Sequence, residues 1–382
     1  MARFIHTADW QIGKPYLRIK DEQKRFKLRE ERVIAISRIR EVTRKQESQF
    51  VLIAGDLFDS PTPSSSCITE VLEAIGEMNI PVLVIPGNHD HGALGTVWHT
   101  DDFKKYHKQM APNLMLLLES KPVEIEDAVV LPCPLIRNKD NNDPTIWLRN
   151  LNWDSISTTK PRIVLAHGGV HEFGGRDYSF DEEAQLGANN LINLSHLPTN
   201  EIDYIALGDW HNLKEVSKNA WYSGTPEPDR FDQGENNQRG QVLQVDVSRN
   251  QNPEIKIIST GRIKWHNISF RFNSDKDIDR FERLIKFLPL QYKNILPEDK
   301  FIKYSNNPPE MSIEFFNEQK NLDKISCYSN EGDGWNKTNI KLENNKLNIF
   351  FREKFKERRG RINCSMKDID GWRWVGIQFS IN

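Results

Sequence analysis

Along the first 211 residues, apolar runs alternate with charged segments, and five of the runs end in a polar tip. Arg3 to Thr7 leads into Asp9-Trp10-Gln11. Phe50-Val-Leu-Ile-Ala-Gly-Asp56 ends on a carboxylate. Ile80-Pro-Val-Leu-Val-Ile-Pro86 leads into Gly87-Asn88-His89-Asp90. Pro161-Arg-Ile-Val-Leu-Ala-His167 runs into Gly168-Gly169, and Ile202-Asp-Tyr-Ile-Ala-Leu-Gly-Asp-Trp-His211 is the fifth. Short apolar runs bounded by turn formers predict buried strands. Helical spacing appears between several of them. Residues 21 to 47 carry apolar groups at Phe26, Leu28, Val33, Ile34, Ile36, Ile39 and Val42, the later ones at helical spacing, which predicts a surface helix packed by one face; further helices are predicted from about Ile68 to Met78 and within 98 to 110. Residues 114 to 131 predict short strands or an edge hairpin, and 138 to 146 a polar loop. Strands alternating with helices argue for a layered α/β domain with ligands at the carboxyl ends of the strands.

After His211 the texture changes. Segments 240 to 247 and 254 to 259 predict paired strands that complete this domain, giving it residues 1–262. His266 to Phe272 alternates as a strand does, Asp277 to Phe287 has amphipathic helical spacing, and Phe301 to Tyr304 and Met311 to Phe316 supply further strands. These predict a small α+β capping domain over 263–318. The remainder, 319–382, is polar and then ends in the strand-like runs from Leu347 and Trp372, which predicts a β-rich C-terminal domain.

Composition narrows the function classes. A net charge of −2 with 28% charged residues gives no global basic field, so any nucleic-acid surface is local. The local candidates are Lys14 to Lys45, rich in Lys and Arg, and Arg352 to Arg361. Each reads equally as a solvated charged face or as a phosphate-backbone contact. Cys67, Cys133, Cys327 and Cys364 stand far apart, which fits neither a thiolate metal site nor a dense disulfide framework and suits a reducing compartment. With no apolar run long enough for a signal peptide or a span, a soluble, cytoplasmic protein without a membrane partner is expected.

The strand tips together offer Asp9, Gln11, Asp56, Asn88, His89, His167, Asp209 and His211. A single Pro-Gly-Asn turn has a plain structural reading. Five tips carrying this set do not, because crowded carboxylates are expensive without counter-charge. Divalent metal supplies that charge, and mixed carboxylate, amide and imidazole donors fit Mn²⁺, Fe²⁺, Mg²⁺ or Zn²⁺. Two cations about 3.5–4 Å apart would clamp a phosphoryl group and activate water for in-line attack. His89, oriented by Asp90, would protonate or stabilise the leaving oxygen; simple hydrogen bonding in the shell is the alternative. No Gly-x-Gly-x-x-Gly or Gly-Lys-Ser/Thr loop follows the first strand, which sets aside a mononucleotide-binding fold.

These residues resemble the calcineurin-like metallophosphoesterase superfamily, and especially its SbcD-type DNA-repair nuclease branch. The matching pieces are His6-Thr-Ala-Asp-Trp-Gln-Ile-Gly13, Gly55-Asp-Leu-Phe-Asp59, Gly87-Asn-His-Asp90, Ala166-His167-Gly168, Gly208-Asp-Trp-His211 and Tyr222-Ser-Gly-Thr-Pro226. The resemblance implies a four-layer sandwich of two central mixed β-sheets flanked by helices, with a capping domain and two Mn²⁺ ions. It implies that Asp56 bridges the ions, that Asp9, Gln11 and His211 serve the first, and that Asn88, His167 and Asp209 serve the second. His89 would face the leaving group with Asp90 behind it. Gln11 and Asp209 stand where the superfamily usually has histidine, a change that weakens one ligand and hardens another. DNA is the implied partner. The resemblance also brings a homodimer, with Ile68 to Met78 as candidate helix, and an SbcC-like ATPase, although 319–382 lacks the long helical pattern that would hold one.

Three functions remain open on the sequence. The first is a manganese-dependent DNA exonuclease or endonuclease in repair or phage defence. The second is a phosphatase or phosphodiesterase on a nucleotide, metabolite or phosphoprotein. The third is a non-catalytic DNA-binding subunit.

Overall fold

A computed structural model describes residues 1–17, 19, 22–170, 189–230 and 238–263, apart from the side chain of Lys24, and beyond them the backbone of the strands between 265 and 381. The chain divides into two compact units, residues 1–229 with 235–261, and 230–234 with 262–382.

The first unit holds two six-stranded sheets. In chain order it runs β1 (Ala2–Thr7), α1 (Glu22–Lys45), β2 (Phe50–Ala54), α2 (Ser65–Gly76), β3 (Val82–Ile85), α3 (Asp101–Met110) and β4 (Leu114–Leu116). It then continues with β5 (Val123–Glu124), β6 (Val129–Cys133), β7 (Arg162–His167), β8 (Tyr204–Gly208), β9 (Lys214–Ser217), β10 (Ala220–Tyr222), β11 (Gln241–Val247) and β12 (Glu254–Ser259). The sheet orders are β12-β11-β1-β2-β3-β4 and β5-β6-β7-β8-β10-β9. In each, four neighbours are parallel, β1 to β4 and β6-β7-β8-β10, with antiparallel strands at the edges. The predicted strand pair 240–247 and 254–259 is β11 with β12, seated on β1. The region 114–131 holds the expected short strands and is where the chain passes between sheets: β4 closes the first, and β5, at the edge of the second, pairs antiparallel with β6.

Strand periodicity of two sends alternate side chains to opposite faces. Ile5, Val51, Ile53, Val82 and Val84 face outward into a core with α1 and α2, joined by Ile36, Ile39, Val71, Leu72 and Ile75. Phe4, Phe50, Leu52, Leu83 and Ile85 face inward against Ile163, Leu165, Tyr204 and Ala206 of the second sheet. Val164, Ala166, Ile205 and Leu207 face outward again, covered by Leu148 of one 3₁₀ turn and Leu197 at the end of another. The result is the expected α/β sandwich of two mixed sheets with helical segments outside them.

Local sequence sets the helix ends. Ser64 caps α2 by accepting from the Cys67 N–H at 3.3 Å, so the helix starts three residues before its apolar spacing begins. Thr100 caps α3 the same way, with Asp101 and Asp102 in the first turn and a separate 3₁₀ turn at Val97–His99 before it. The apolar face of α2 carries Ile68, Val71, Leu72 and Ile75, all buried in the core of the unit.

The second unit contains β13 (Trp265–Phe272), β14 (Ile302–Asn306), β15 (Pro309–Glu314), β16 (Ile325–Asn330), β17 (Trp335–Asn336), β18 (Asn339–Glu343), β19 (Lys346–Phe350), β20 (Arg359–Asp368) and β21 (Gly371–Ile381). They form sheets β13-β21-β20-β16-β17 and β14-β15-β19-β18. Strands from 263–318 and from 319–382 are thus interleaved: β13 lies parallel to β21, and β15 antiparallel to β19. The helix predicted over Asp277 to Phe287 and residues 352–358 of the basic run Arg352 to Arg361 lie outside the described residues, while Arg359 to Arg361 open β20.

Candidate metal centre

The strands that point carboxyl ends at one place are β1, β2, β3, β7 and β8. Their tips hold Asp9, Asp56, Asn88, His167 and Asp209. Three of these carboxylate residues take left-handed backbone, Asp9 at φ 54°, Asp56 at 54° and Asp209 at 102°, and so does Gln11 at 41°. Left-handed backbone at non-glycine residues is uncommon and concentrates where a turn must aim a functional group. The turns are cross-tied: Asp9 N–H donates to Gly55 O at 3.2 Å, Gln11 N–H to Asp56 O at 2.8 Å, and Ile12 N–H to Leu57 O at 3.0 Å. The sheets approach so closely here that a Cβ on Gly208 would lie 1.8 Å from the Ala54 carbonyl oxygen.

Asp9, Asp56 and His167, all buried, each place a ligand atom within 4.8 Å of the others. His167 Nδ1 faces Ala54 O at 2.8 Å, while Nε2 faces Asn88 Oδ1 at 2.8 Å, Asp56 Oδ1 at 3.6 Å and Asp209 Oδ1 at 3.7 Å. Both ring nitrogens thus face oxygen acceptors. Burial opposes the cation, but the charges of Asp56, Asp9 and Asp209 outweigh it and raise the imidazole to about 9. Asp9 is pushed up to about 8 by burial and by its neighbours Asp56 and Asp209. For Asp56, burial is outweighed by His167, His89 and the His89 N–H, which hold its carboxyl low. Without metal, the proton on Nε2 occupies the direction in which a ligand lone pair would point. The donor set, three carboxylates, an amide oxygen and an imidazole, suits one hard or borderline divalent ion.

The Gln11 side is built differently. Gln11 Nε2–H donates to Asp56 Oδ2 at 3.2 Å, and Gln11 Oε1 accepts from Lys14 Nζ at 2.6 Å. Lys14 also lies 3.4 Å from Asp229 Oδ2 and 3.9 Å from Asp59 Oδ1. Asp229 in turn faces His211 Nδ1 at 3.0 Å. Of the residues expected around a first ion, Gln11 and Asp56 are therefore joined by an amide N–H, and His211 connects to Gln11 through Asp229 and the Lys14 ammonium. Among the described His, Cys, Asp and Glu residues, one cluster has metal-ligand geometry, Asp9 with Asp56 and His167, and His211 is not in it.

His89 is held by a different partner from the one expected. Its N–H donates to Asp56 Oδ1 at 3.0 Å, its Nδ1 faces Asp59 O at 3.1 Å, and its Nε2 lies 3.9 Å from Asp56 Oδ2. Asp90 serves the turn instead. Its carboxylate accepts from Gly87 N–H at 2.8 Å and Phe58 N–H at 3.0 Å, and its backbone carbonyl accepts from the Trp98 indole. Burial, then Asp56, raises the Asp90 carboxyl to about 7.

Sequence spacing missed several residues that hold this arrangement. Arg32, on the buried side of α1, donates to Asp9 O at 2.8 Å, Trp10 O at 2.7 Å, Thr225 Oγ1 at 3.2 Å and Glu227 O at 3.3 Å. It joins the first strand tip to the loop following β10. Asp59 was visible only as the last residue of the piece Gly55-Asp-Leu-Phe-Asp59, and Asp229 only as part of a turn-rich loop. Several α1 cations are likewise engaged internally: Arg38 with Glu31 and Glu227, Arg40 with Glu77, and Lys27 with Glu30.

Two mixed sheets presenting a buried carboxylate–imidazole cluster at their strand tips define a metal-dependent hydrolase. The chain belongs to the calcineurin-like phosphoesterase family, whose model matches residues 2–213, more than half of its length. A curated relative, the D subunit of the nuclease SbcCD from Staphylococcus epidermidis, is 24% identical over 244 residues, 58% of this chain and 60% of that protein. The chain thus spans about three fifths of that relative's length. Of solved structures, one crystal structure overlays with a TM-score of 0.39 at 11% identity, covering 68% of this chain and 98% of the other. The endo-beta-1,4-mannanase from Thermotoga petrophila gives 0.20 at 9% identity over 100% and 98%. Overlays this low carry no argument.

Proposed function

We propose that this chain is a metal-dependent phosphodiesterase of the SbcD nuclease type, hydrolysing DNA phosphodiester bonds with water. The observation that carries the reaction class is the placement of His89. It sits one residue from Asn88, on the turn that supplies the amide oxygen to His167, with its own N–H on Asp56. DNA as substrate rests on the ordered motif pieces and on the relative from the SbcCD nuclease.

A divalent ion bound by Asp9, Asp56 and His167, with Asn88 and Asp209 beside them, supplies positive charge to phosphoryl oxygens and lowers the pKa of water. The protein's own residues do the rest. Asp59 O fixes the proton of His89 on Nδ1, leaving Nε2 to carry the transferable proton to the departing oxygen. The Asp56 and Asp59 carboxylates, each with an oxygen 3.9 Å from a ring nitrogen, supply counter-charge to the imidazolium. The domain assignment belongs to the same proposal: residues 1–262 form the nuclease domain, 263–318 a small capping domain and 319–382 a β-rich C-terminal domain. So do the partners: an SbcC-like ATPase, since the relative's name makes it one component of SbcCD, and a second copy of the chain, which rests on the motif resemblance alone.

A second reading, a phosphoesterase for nucleotides or other small phosphoesters, is favoured by the internal pairing of Arg38, Arg40 and Lys27 on α1. The test is nucleotide release from linear single-stranded, blunt and hairpin DNA by metal-loaded protein, with His89→Ala as control. Release that needs metal and His89 supports the nuclease. No release with Mn²⁺, Mg²⁺, Fe²⁺ or Co²⁺ overturns it, and turnover of bis(p-nitrophenyl) phosphate alone moves the substrate to the second reading. DNA binding without any cleavage would give the chain a non-catalytic role.

A further inference from the structure

We propose that the Lys14 ammonium takes the place of a second metal ion, so that this chain works with one divalent ion and one built-in cation. The inference rests on the reading of the Asp9, Asp56 and His167 cluster as a metal centre.

The orientation of the Gln11 amide carries the argument. An amide has one donor end and one acceptor end. Asp56 Oδ2, a carboxylate oxygen, can only accept, so the group 3.2 Å from it is the NH₂. Lys14 Nζ can only donate, so the group 2.6 Å from it is the carbonyl oxygen. The two partners fix the amide with its N–H on the carboxylate that would bridge two ions. A metal held by Asp56 Oδ2 on this side would meet N–H hydrogens in place of a lone pair. Reversing the amide would turn its N–H groups on the ammonium.

The charges agree with the hydrogen bonds. Lys14 lies within 3.4 Å of Asp229 and 3.9 Å of Asp59, so it bonds one neutral oxygen and faces two anions. Asp229 also faces His211 Nδ1 at 3.0 Å, which places the ammonium and this histidine on opposite sides of one carboxylate. A divalent ion beside Gln11 would stand next to the positive charge of Lys14, a half-buried side chain bonded to the Gln11 oxygen, and like charges at such short range repel. Imidazole at position 11 would offer a lone pair to metal. Glutamine offers an oxygen, and that oxygen is bound to lysine. An ammonium can supply part of what a second ion supplies, since it is a positive charge with donors for phosphoryl oxygens.

Metal stoichiometry tests this without recourse to activity. The full chain is equilibrated with excess Mn²⁺, freed of unbound metal by gel filtration and assayed by plasma mass spectrometry and electron paramagnetic resonance. The expected result is one manganese per chain with an uncoupled six-line spectrum. Lys14→Arg, which keeps the charge, stays at one. The double variant Gln11→His with Lys14→Met rises to two, with the spectral broadening and exchange coupling of adjacent ions. Two coupled ions in the parent protein would overturn the inference while leaving the metal centre intact. No bound metal in the parent would overturn the centre itself and the inference with it. If the double variant fails to fold, the parent protein's stoichiometry and spectrum decide.

Discussion

His6 of the first sheet and Tyr204 of the second are joined through the interior, with His6 Nδ1 2.9 Å from the Tyr204 hydroxyl. The other ring nitrogen faces Leu207 O at 3.1 Å. A carbonyl only accepts, so Nε2 carries the proton and Nδ1 accepts from the phenol. Burial keeps the ring neutral, lowering it to about 3. This polar tie lies just before Ala8 and Asp9, where the sheets deliver the metal-centre carboxylates.

Tyr204→Phe should therefore destabilise the protein without touching the centre. It leaves a buried ring nitrogen without its donor, at a cost of about 1–3 kcal/mol. The expected outcome is a lowered urea midpoint with unchanged manganese content.

Metal-free protein should lose stability as pH rises from about 7 to 9. His167, raised to about 9, and Asp9, raised to about 8, both hold protons in the folded chain at pH values where the unfolded chain has released them. The folded state then binds more protons than the unfolded state, so stability falls with rising pH across that window. Bound metal replaces those protons, which makes the loaded protein less sensitive and metal affinity higher toward pH 9. Thermal melts in chelator and in Mn²⁺ across this range check both signs.

Gly87→Ala should disturb the centre through Asp56. A Cβ at this position would lie 2.1 Å from Asp56 Oδ1 and 2.5 Å from the Asp56 backbone nitrogen, so the carboxylate must move. A destabilisation of about 1–3 kcal/mol is expected from such overpacking. Reduced manganese retention in isothermal titration would locate the damage at Asp56.

His89 and Asp90 should separate cleanly. His89→Ala is expected to keep metal content and fold while lowering turnover by roughly 10²–10⁴, the contribution of a positioned proton donor. Asp90→Ala leaves the Gly87 and Phe58 N–H groups without their acceptor. That costs about 1–3 kcal/mol for each buried group, with metal lost alongside stability. Equal metal content and stability for both variants would contradict the separate roles.

The sequence alone determined most of the strand–helix order of the first unit, because buried strands must be continuously apolar and their tips here are conspicuously polar; β9 and β10, short and without a continuous apolar run, were not legible. It also marked Asp9, Asp56 and His167, which do meet, as strand-end residues, since parallel neighbours in a sheet bring such ends together. Gln11 and His211, expected in the same array, are bonded to Lys14 and Asp229. The start of α2 was less legible, since Ser64 to Ser66 reads as loop until Ser64 is seen capping the Cys67 N–H. Tertiary structure decided what each polar group faces. His6 has no visible job in its motif until the second sheet places Tyr204 opposite it. Arg32 reads as one more charge on a surface helix, yet it binds the Asp9 and Trp10 carbonyls from the buried side. Asp90 stands next to His89 in sequence, but the turn directs its carboxylate to Gly87 and Phe58 and leaves His89 to Asp59. Gln11 could be recognised as a departure from histidine. Only the contact with Lys14 showed which way its amide points, because that depends on a cation three residues away being folded back onto it.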